Sequence, residues 1–217
     1  MPQTLDDLIQ ELYRKRYGNP VAGKIVCTSD TPEEMIPETD NGLSGWVEWK
    51  LIERRGEIDP GFEALEKELK CKLPYSFKYW HSRYYQLDAD MSLIRLPAVP
   101  SNNPFKDLRR EMFEMYFPEK YREQGYVPFG SDGNDTGPIC FHTQAEVDDF
   151  DYPVYVLEPY TKDSMQLQFS NFRKLLEYLV HYLRGTLTDY GDLPEGYAGF
   201  KIIDPDGAGK YYDRFIR

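Results

Sequence analysis

Cysteine and histidine are both scarce in this chain, with three of each among 217 residues. Cys27, Cys71 and Cys140 lie far apart, and no C-x-x-C motif occurs. An odd number of scattered cysteines argues against a disulfide scaffold. A zinc site needs three or four ligands at workable spacing, which these residues do not provide. We therefore expect reduced thiols, no metal and no cofactor.

An excess of positive charge and long apolar runs are also missing. The chain has 37 acidic residues against 26 basic ones, which gives a net charge of −11. A chain with this negative charge is repelled by the phosphate backbone of nucleic acids, so we expect no nucleic-acid partner. No apolar run approaches the ~18 residues of a membrane span, and no apolar signal segment begins the chain. We expect a cytoplasmic protein that is not associated with a membrane.

The composition that remains is typical of a folded globule. Apolar residues make up 41% of the chain and aromatic residues 15%, enough to form a core without disulfides or metal. The acidic balance has two interpretations. It could steer the protein towards a basic partner, or it could serve solubility alone.

Periodicity predicts an α+β fold with a mostly antiparallel central sheet and helices packed around it. We divide the chain into an N-terminal helix and loop extension (1–45), a main domain (46–184) and a C-terminal appendix (185–217) that could form a hairpin. Thr4 and Ser170 are expected to cap the first and last strong helices. The predicted helices are 4–17, 59–69, 75–85, 102–117 and 170–185, and the predicted strands are 24–27, 46–51, 91–99, 126–129, 139–141, 153–157 and 164–169.

The stretch 126–141, YVPFGSDGNDTGPICF, reads as two strands around a glycine-rich turn. The turn does not match a calcium loop, because an EF-hand needs Asp or Asn at the fifth place, where Thr136 stands, and a glutamate at the twelfth, where Thr143 stands. No G-x-x-x-x-G-K-[ST] phosphate loop occurs, and aspartates would repel phosphate. The turn therefore has no recognisable chemistry, and its carboxylates are expected to face water.

Catalytic patterns are equally absent. There is no G-x-S-x-G motif. Cys140 and His142 alternate on a predicted strand and share a face, but a nucleophilic pair also needs a hydrogen bond and an orienting group. A strand cysteine is usually a small buried apolar residue. We expect no catalytic residues and no enzymatic activity.

The order of several short motifs resembles the SUKH superfamily, which includes a fungal cell-wall-assembly regulator and many bacterial immunity proteins. An E-x-x-L…L-P-x-x-[FY] helix pair matches Glu66, Leu69 and Leu73–Phe77. The family's [IV]-P-F-G-x-D-G segment corresponds to Val127–Gly133. Its S-F-x-x-[FL]-L terminal helix corresponds to Ser170-Asn171-Phe172 with Leu175 and Leu176. The resemblance covers about residues 46–184. Asn134-Asp135 stands where members often have a Gly-Asp pair.

The resemblance implies a non-enzymatic immunity protein that binds a cognate toxin, such as a basic nuclease, and blocks it sterically. The alternative is a regulatory or scaffolding module without a toxin. A basic partner would be drawn to acidic surface, and aromatic residues could anchor it. The expected partner-binding residues are Asp132, Asp135, Glu146, Asp148, Asp149 and Asp151, with Trp46 and Tyr126 as aromatic anchors.

Overall fold

The computed structural model describes residues 3–17, 26–27, 31–37, 47–54, 57–87, 89–91, 94–116, 118–133, 137–157, 164–185 and 203–207. The helices are α1 (Leu5–Tyr17), α2 (Gly61–Leu69), α3 (Tyr75–Arg83), α4 (Lys106–Phe113), α5 (Pro118–Glu123) and α6 (Phe172–Gly185). The strands are β1 (Val26–Cys27), β2 (Val47–Glu48), β3 (Ile52–Glu53), β4 (Tyr84–Tyr85), β5 (Ala89–Asp90), β6 (Ile94–Leu96), β7 (Tyr126–Asp132), β8 (Pro138–His142), β9 (Val154–Leu157) and β10 (Met165–Phe169).

One six-stranded antiparallel sheet dominates the described part of the chain. Its order is β10-β9-β8-β7-β6-β5, so each strand pairs with the next one along the chain. The pairs β1–β2 and β3–β4 form two small antiparallel sheets. This arrangement confirms the predicted α+β fold with a mostly antiparallel sheet.

An aromatic cluster joins the helices to the sheet. The ring of Phe77 on α3 lies 5.4 Å from Phe129 on β7, 5.2 Å from Phe141 on β8 and 5.1 Å from Phe172 on α6. All four side chains are buried. Edge-to-face contacts of this kind add to the gain from burial and fix the positions of the rings.

The first helix belongs to the same core. Leu8, Ile9 and Leu12 are buried among the other core residues, and α1 packs against α6. The helix that we assigned to an extension is therefore packed into the main domain. The boundaries at residues 46 and 185 remain predictions.

Helix starts follow local capping chemistry. Thr4 and Asp7 form a reciprocal cap on α1, with the Asp7 N–H 3.1 Å from Thr4 Oγ1 and the Thr4 N–H 3.2 Å from Asp7 Oδ2. The prediction for Thr4 is confirmed. At α6 the prediction of Ser170 was wrong, because Asn171 Oδ1 accepts the hydrogen bond from the Lys174 N–H at 2.9 Å.

Two predicted elements have different bounds in the structure. Of the expected strand 91–99, Ile94–Leu96 form the shorter β6, and the Met91 N–H that precedes it donates a 2.8 Å hydrogen bond to the Ile94 carbonyl. The expected helix 102–117 is shorter, since α4 begins at Lys106. Pro118 begins α5, which the sequence analysis did not predict. The first helical position tolerates proline because the N–H there would be unpaired anyway.

A short C-terminal segment, residues 203–207, contacts the chain between β10 and α6. Asp204 is buried, and its Oδ2 accepts a 2.6 Å hydrogen bond from the Ser170 N–H. The Gly207 N–H donates to the Asp204 carbonyl at 3.2 Å, which closes a turn over residues 204–207. Apart from Gly185 and residues 203–207, the appendix in which we predicted a hairpin lies outside the described residues.

Candidate protein-binding site

The connection between β8 and β9, residues 143–153, is fixed at both ends. The Thr143 N–H donates to the Gly125 carbonyl at 2.8 Å, and the His142 N–H donates to the Pro153 carbonyl at 3.1 Å. Tyr152 is buried near the far end. These contacts hold the segment against the sheet, so its central residues project from a rigid base.

The centre of this connection is continuously exposed. Every residue from Glu146 to Phe150 is solvent-exposed, including the carboxylates of Glu146, Asp148 and Asp149. Two apolar side chains stand among them, with Val147 39% and Phe150 50% exposed. The exposed surface therefore combines negative charge with apolar groups, a composition suited to a basic protein partner.

A tight turn sets the direction of these side chains. The Asp151 N–H donates to the Asp148 carbonyl at 3.1 Å. Asp149 and Phe150 both adopt left-handed backbone conformations, with φ of 52° and 58°. Such a conformation is rare for a phenylalanine. The turn directs the ring of Phe150 outward although burial would favour the opposite.

Asp151 lies on the inner side of the connection. It is partly buried, and this burial raises the pKa of its carboxyl group. The charge of Arg173 on α6 opposes the rise, and that of Asp149 adds to it. Asp151 is therefore less available to a partner than the three exposed carboxylates.

Tyr126 lies beside the start of the connection. Its ring stacks on His142 with centroids 4.6 Å apart and meets Tyr155 edge-on at 5.3 Å. The side chain is half-buried, and burial raises the pKa of its hydroxyl. The structure thus places Tyr126 at the same end of the sheet as the acidic connection.

Asp132 does not join this surface. It is the last residue of β7 and is 1% exposed, so our expectation that its carboxylate faces water was wrong. It also lies at the far end of the β7–β8 hairpin, separated from the connection by the five residues of β8, or roughly 16 Å. Asp135 and Trp46 lie outside the described residues.

Val147 and Phe150 were missed by the sequence reasoning. Both stand inside a run of charged residues that shows neither strand nor helix periodicity. The signal in the sequence was that neither residue fits the apolar face of a predicted helix or strand. An apolar residue of that kind is a candidate contact residue.

The structure disfavours the Cys140–His142 pair as a nucleophilic site. Cys140 is fully buried, and this burial, with the nearby Glu111, raises the pKa of its thiol well above the ordinary value. No hydrogen bond joins Cys140 to His142, whose ring stacks on Tyr126 instead. An activated thiol needs the opposite, a lowered pKa and an adjacent base.

His81 is a packing residue of the aromatic core. Its ring lies 5.2 Å from Phe62 and 5.0 Å from Phe105. Burial, assisted by the charge of Arg54, lowers the pKa of His81 to about 3, so the ring is neutral at physiological pH.

The described stretches contain no cluster of three or more His, Cys, Asp or Glu side chains placed to hold a metal ion. In the same stretches, no helix combines the length and the apolar character needed to cross a bilayer.

The motif residues of the sequence stabilise the fold. Glu66 Oε1 accepts a 3.0 Å hydrogen bond from the Leu73 N–H, which ties α2 to the chain that leads into α3. A Cβ atom at Gly130 would lie 2.6 Å from the Arg95 carbonyl oxygen, so β7 can approach β6 only with glycine there. These motif residues therefore have structural roles and do not form a reactive site.

Comparison with known proteins gives one family match. The model of the SMI1 / KNR4 family (SUKH-1) matches residues 61–178, more than half of the 217 residues. No curated protein matches the chain. SUKH domains are protein-interaction modules that are generally non-enzymatic, and they occur in immunity proteins and in SMI1/KNR4 regulators. The matched segment contains the Glu66 and Gly130 contacts and the exposed connection, and the chain belongs to the SMI1 / KNR4 (SUKH-1) family.

Proposed function

We propose that this chain is a cytoplasmic immunity protein that binds a basic toxin, such as a nuclease, and blocks it sterically. The observation that carries the proposal is the exposed acidic connection between β8 and β9. Its carboxylates are held on a fixed base, and a net charge of −11 adds a long-range field of the same sign. Opposite fields speed the encounter of two proteins and disfavour acidic competitors.

Steric occlusion needs no reactive group in the inhibitor. A nuclease that holds phosphate exposes basic residues at its substrate site, and an acidic surface can cover them. The contact requires charge, apolar anchors and a rigid base. Family membership supports this reading, because the family includes immunity proteins. A regulatory module without a toxin is the alternative within the same family.

Capture of partners from the source cell at low and at high salt tests this function. We expect the immobilised full chain to retain a basic protein at low salt and to release it at high salt, because screening weakens attraction between exposed charges. The released protein should have a toxic activity that adding the chain suppresses. Recovery of only acidic partners, or of partners that high salt does not release, would contradict the proposal. A basic partner without toxic activity would favour the regulatory module.

A further inference from the structure

Three aromatic rings meet on one face of the sheet, next to the base of the β8–β9 connection. Tyr126 at the start of β7 pairs with His142 at the end of β8, and Tyr155 on β9 pairs with Cys140, two residues before His142. Paired residues of an antiparallel sheet share a face, as do residues two apart on a strand. The rings of Tyr126 and His142 are stacked, and the Tyr155 ring meets both edge-on, with centroids 5.3 and 5.5 Å away. We call Tyr126, His142 and Tyr155 the ring cluster.

The ring cluster adjoins the proposed partner-binding surface. All three side chains are half-buried, so part of each is open to solvent. The Thr143 N–H donates to the Gly125 carbonyl beside the Tyr126–His142 pair, and the His142 N–H donates to the Pro153 carbonyl. The same two hydrogen bonds fix the ends of the connection. The ring cluster and the exposed carboxylates of the connection are therefore held on one base.

The charge around the ring cluster favours a cation. Burial lowers the pKa of His142, so its ring is neutral at physiological pH and does not repel a positive group. Strands β7 to β10 contain no lysine or arginine, and their only carboxylate, Asp132, lies at the far end of the hairpin. Aromatic faces attract cations, and the net charge of −11 adds a field of the same preference.

Other half-buried tyrosines of this protein already contact arginine. A guanidinium group lies over each of three rings, 4.6 to 5.6 Å from the centroid: those of Tyr17, Tyr84 and Tyr85. In the stretches that the structure describes, no Lys or Arg side chain lies over the ring of Tyr126 or Tyr155. These two rings are therefore open to a cation from outside the chain.

We propose that the ring cluster binds an arginine side chain of the basic partner. The planar guanidinium stacks on the tyrosine rings, and the neutral His142 holds the two rings in place. Arginine is preferred to lysine because a guanidinium stacks on aromatic faces and is less strongly hydrated than an ammonium group. The inference rests on the proposed immunity function, and it adds the side chain by which the partner is recognised beside the connection.

Proton NMR of capped tripeptides mixed with the full chain at low salt tests this site. The probes are Gly-Arg-Gly, Gly-citrulline-Gly and Gly-Leu-Gly, because citrulline has nearly the shape of arginine without its charge. We expect the side-chain methylene protons of the arginine probe to shift upfield, since an aromatic ring shields protons that lie over its face. The citrulline and leucine probes should bind more weakly by about fivefold or more, the size of a cation–π contact.

Substitutions at Tyr155 locate the bound probe. Y155L removes one ring but keeps an apolar side chain, and it should weaken the arginine probe by about fivefold or more. Y155F keeps the ring and should bind like the wild type. Y75L is the matched control, because Tyr75 on α3 is an exposed tyrosine whose ring also stacks on a neighbour, Tyr79, at 5.9 Å. It should leave binding unchanged.

Equal binding of the arginine and citrulline probes, or of the arginine and leucine probes, would overturn the proposal. That comparison uses only the wild type, so it does not depend on how the variants fold. Unchanged binding to Y155L, or loss of binding with Y75L, would overturn it as well. A salt-released toxin in the capture experiment would still support the immunity function in each of these cases. Binding of the arginine probe at the ring cluster without any captured toxin would contradict the immunity function alone.

Discussion

Glu66 is a carboxylate that the fold keeps almost out of solvent, at 6% exposure. Burial alone would raise the pKa of Glu66. The Leu73 N–H and the ammonium groups of Lys72 and Lys78 outweigh it and hold the pKa below its ordinary value. The two ammonium groups lie 2.8 and 2.7 Å from the carboxylate oxygens. The Glu66 side chain therefore links α2 to the start of α3 through a hydrogen bond and two ion pairs.

Replacing Glu66 with alanine should lower the free energy of unfolding by about 2–3 kcal/mol. The change removes an acceptor from a buried backbone N–H and leaves Lys78, a mostly buried cation, without its partner. Urea denaturation at neutral pH measures the loss. The exposed Glu63 on the same helix is the control, and E63A should change stability by less than about 0.5 kcal/mol. Equal losses in the two variants would show that the Glu66 contacts do not stabilise the fold.

At the scale of single elements, β7 shows why the sequence misplaced Asp132. The apolar pattern ends at Phe129, and the following Gly-Ser-Asp reads as a turn. In the structure β7 continues to Asp132, because Ser131 pairs with Pro138 of β8 and Asp132 pairs with Ile94 of β6. Pairing on both sides buries the polar residues. The apolar pattern of one strand does not show which strands pair with it on either side. The extension of β7 to Asp132 could therefore not be predicted from that pattern.

Gly130 allows β6 and β7 to approach closely, because it has no Cβ atom. We expect G130A to lower the free energy of unfolding by about 2–3 kcal/mol, since the added Cβ would overlap the Arg95 carbonyl oxygen and a backbone atom cannot turn aside. Thermal and urea denaturation measure the effect.

Gly137 in the same hairpin provides the comparison. There an added Cβ would meet only the Leu157 side chain, at 3.0 Å or more, and a side chain can shift. G137A should therefore cost less than G130A. The reverse order of stability would contradict the close packing of β6 against β7.

The β8–β9 connection was partly predictable as an element. Its carboxylates were found from the run of acidic residues, but their exposure and the rigidity of their base depend on contacts to Gly125 and Pro153. Gly125 precedes the hairpin, and no local pattern links it to Thr143. The outward position of Phe150 depends on a left-handed turn that sequence periodicity does not encode.

At the scale of the whole molecule, fold and family were easier to predict than the binding surface. The fold follows from residues that repeat a pattern, such as the buried leucines of α6, and from motif residues such as Glu66 and Gly130 that hold elements together. The proposed binding surface consists of exposed residues, which no packing constraint selects. Val147 and Phe150 were added to that proposal only because the structure shows that they are exposed, which the sequence does not.

Net charge acts at this scale too. In the proposed complex, a net charge of −11 attracts a basic partner from a distance, whereas Glu146, Asp148 and Asp149 act where the two surfaces meet. Long-range attraction mainly changes the rate of association, and local contacts mainly change the rate of dissociation.

The most direct test of the account is the association rate of the captured partner with D148K/D149K, measured at low salt. The account predicts association about tenfold slower or more, with an unchanged melting temperature because both residues are exposed. The control E57K/E114K makes the same change in net charge at exposed residues outside the connection, and it should slow association much less. An association rate for D148K/D149K equal to that of the wild type, or to that of E57K/E114K, would contradict the assignment of the β8–β9 connection as the partner-binding surface.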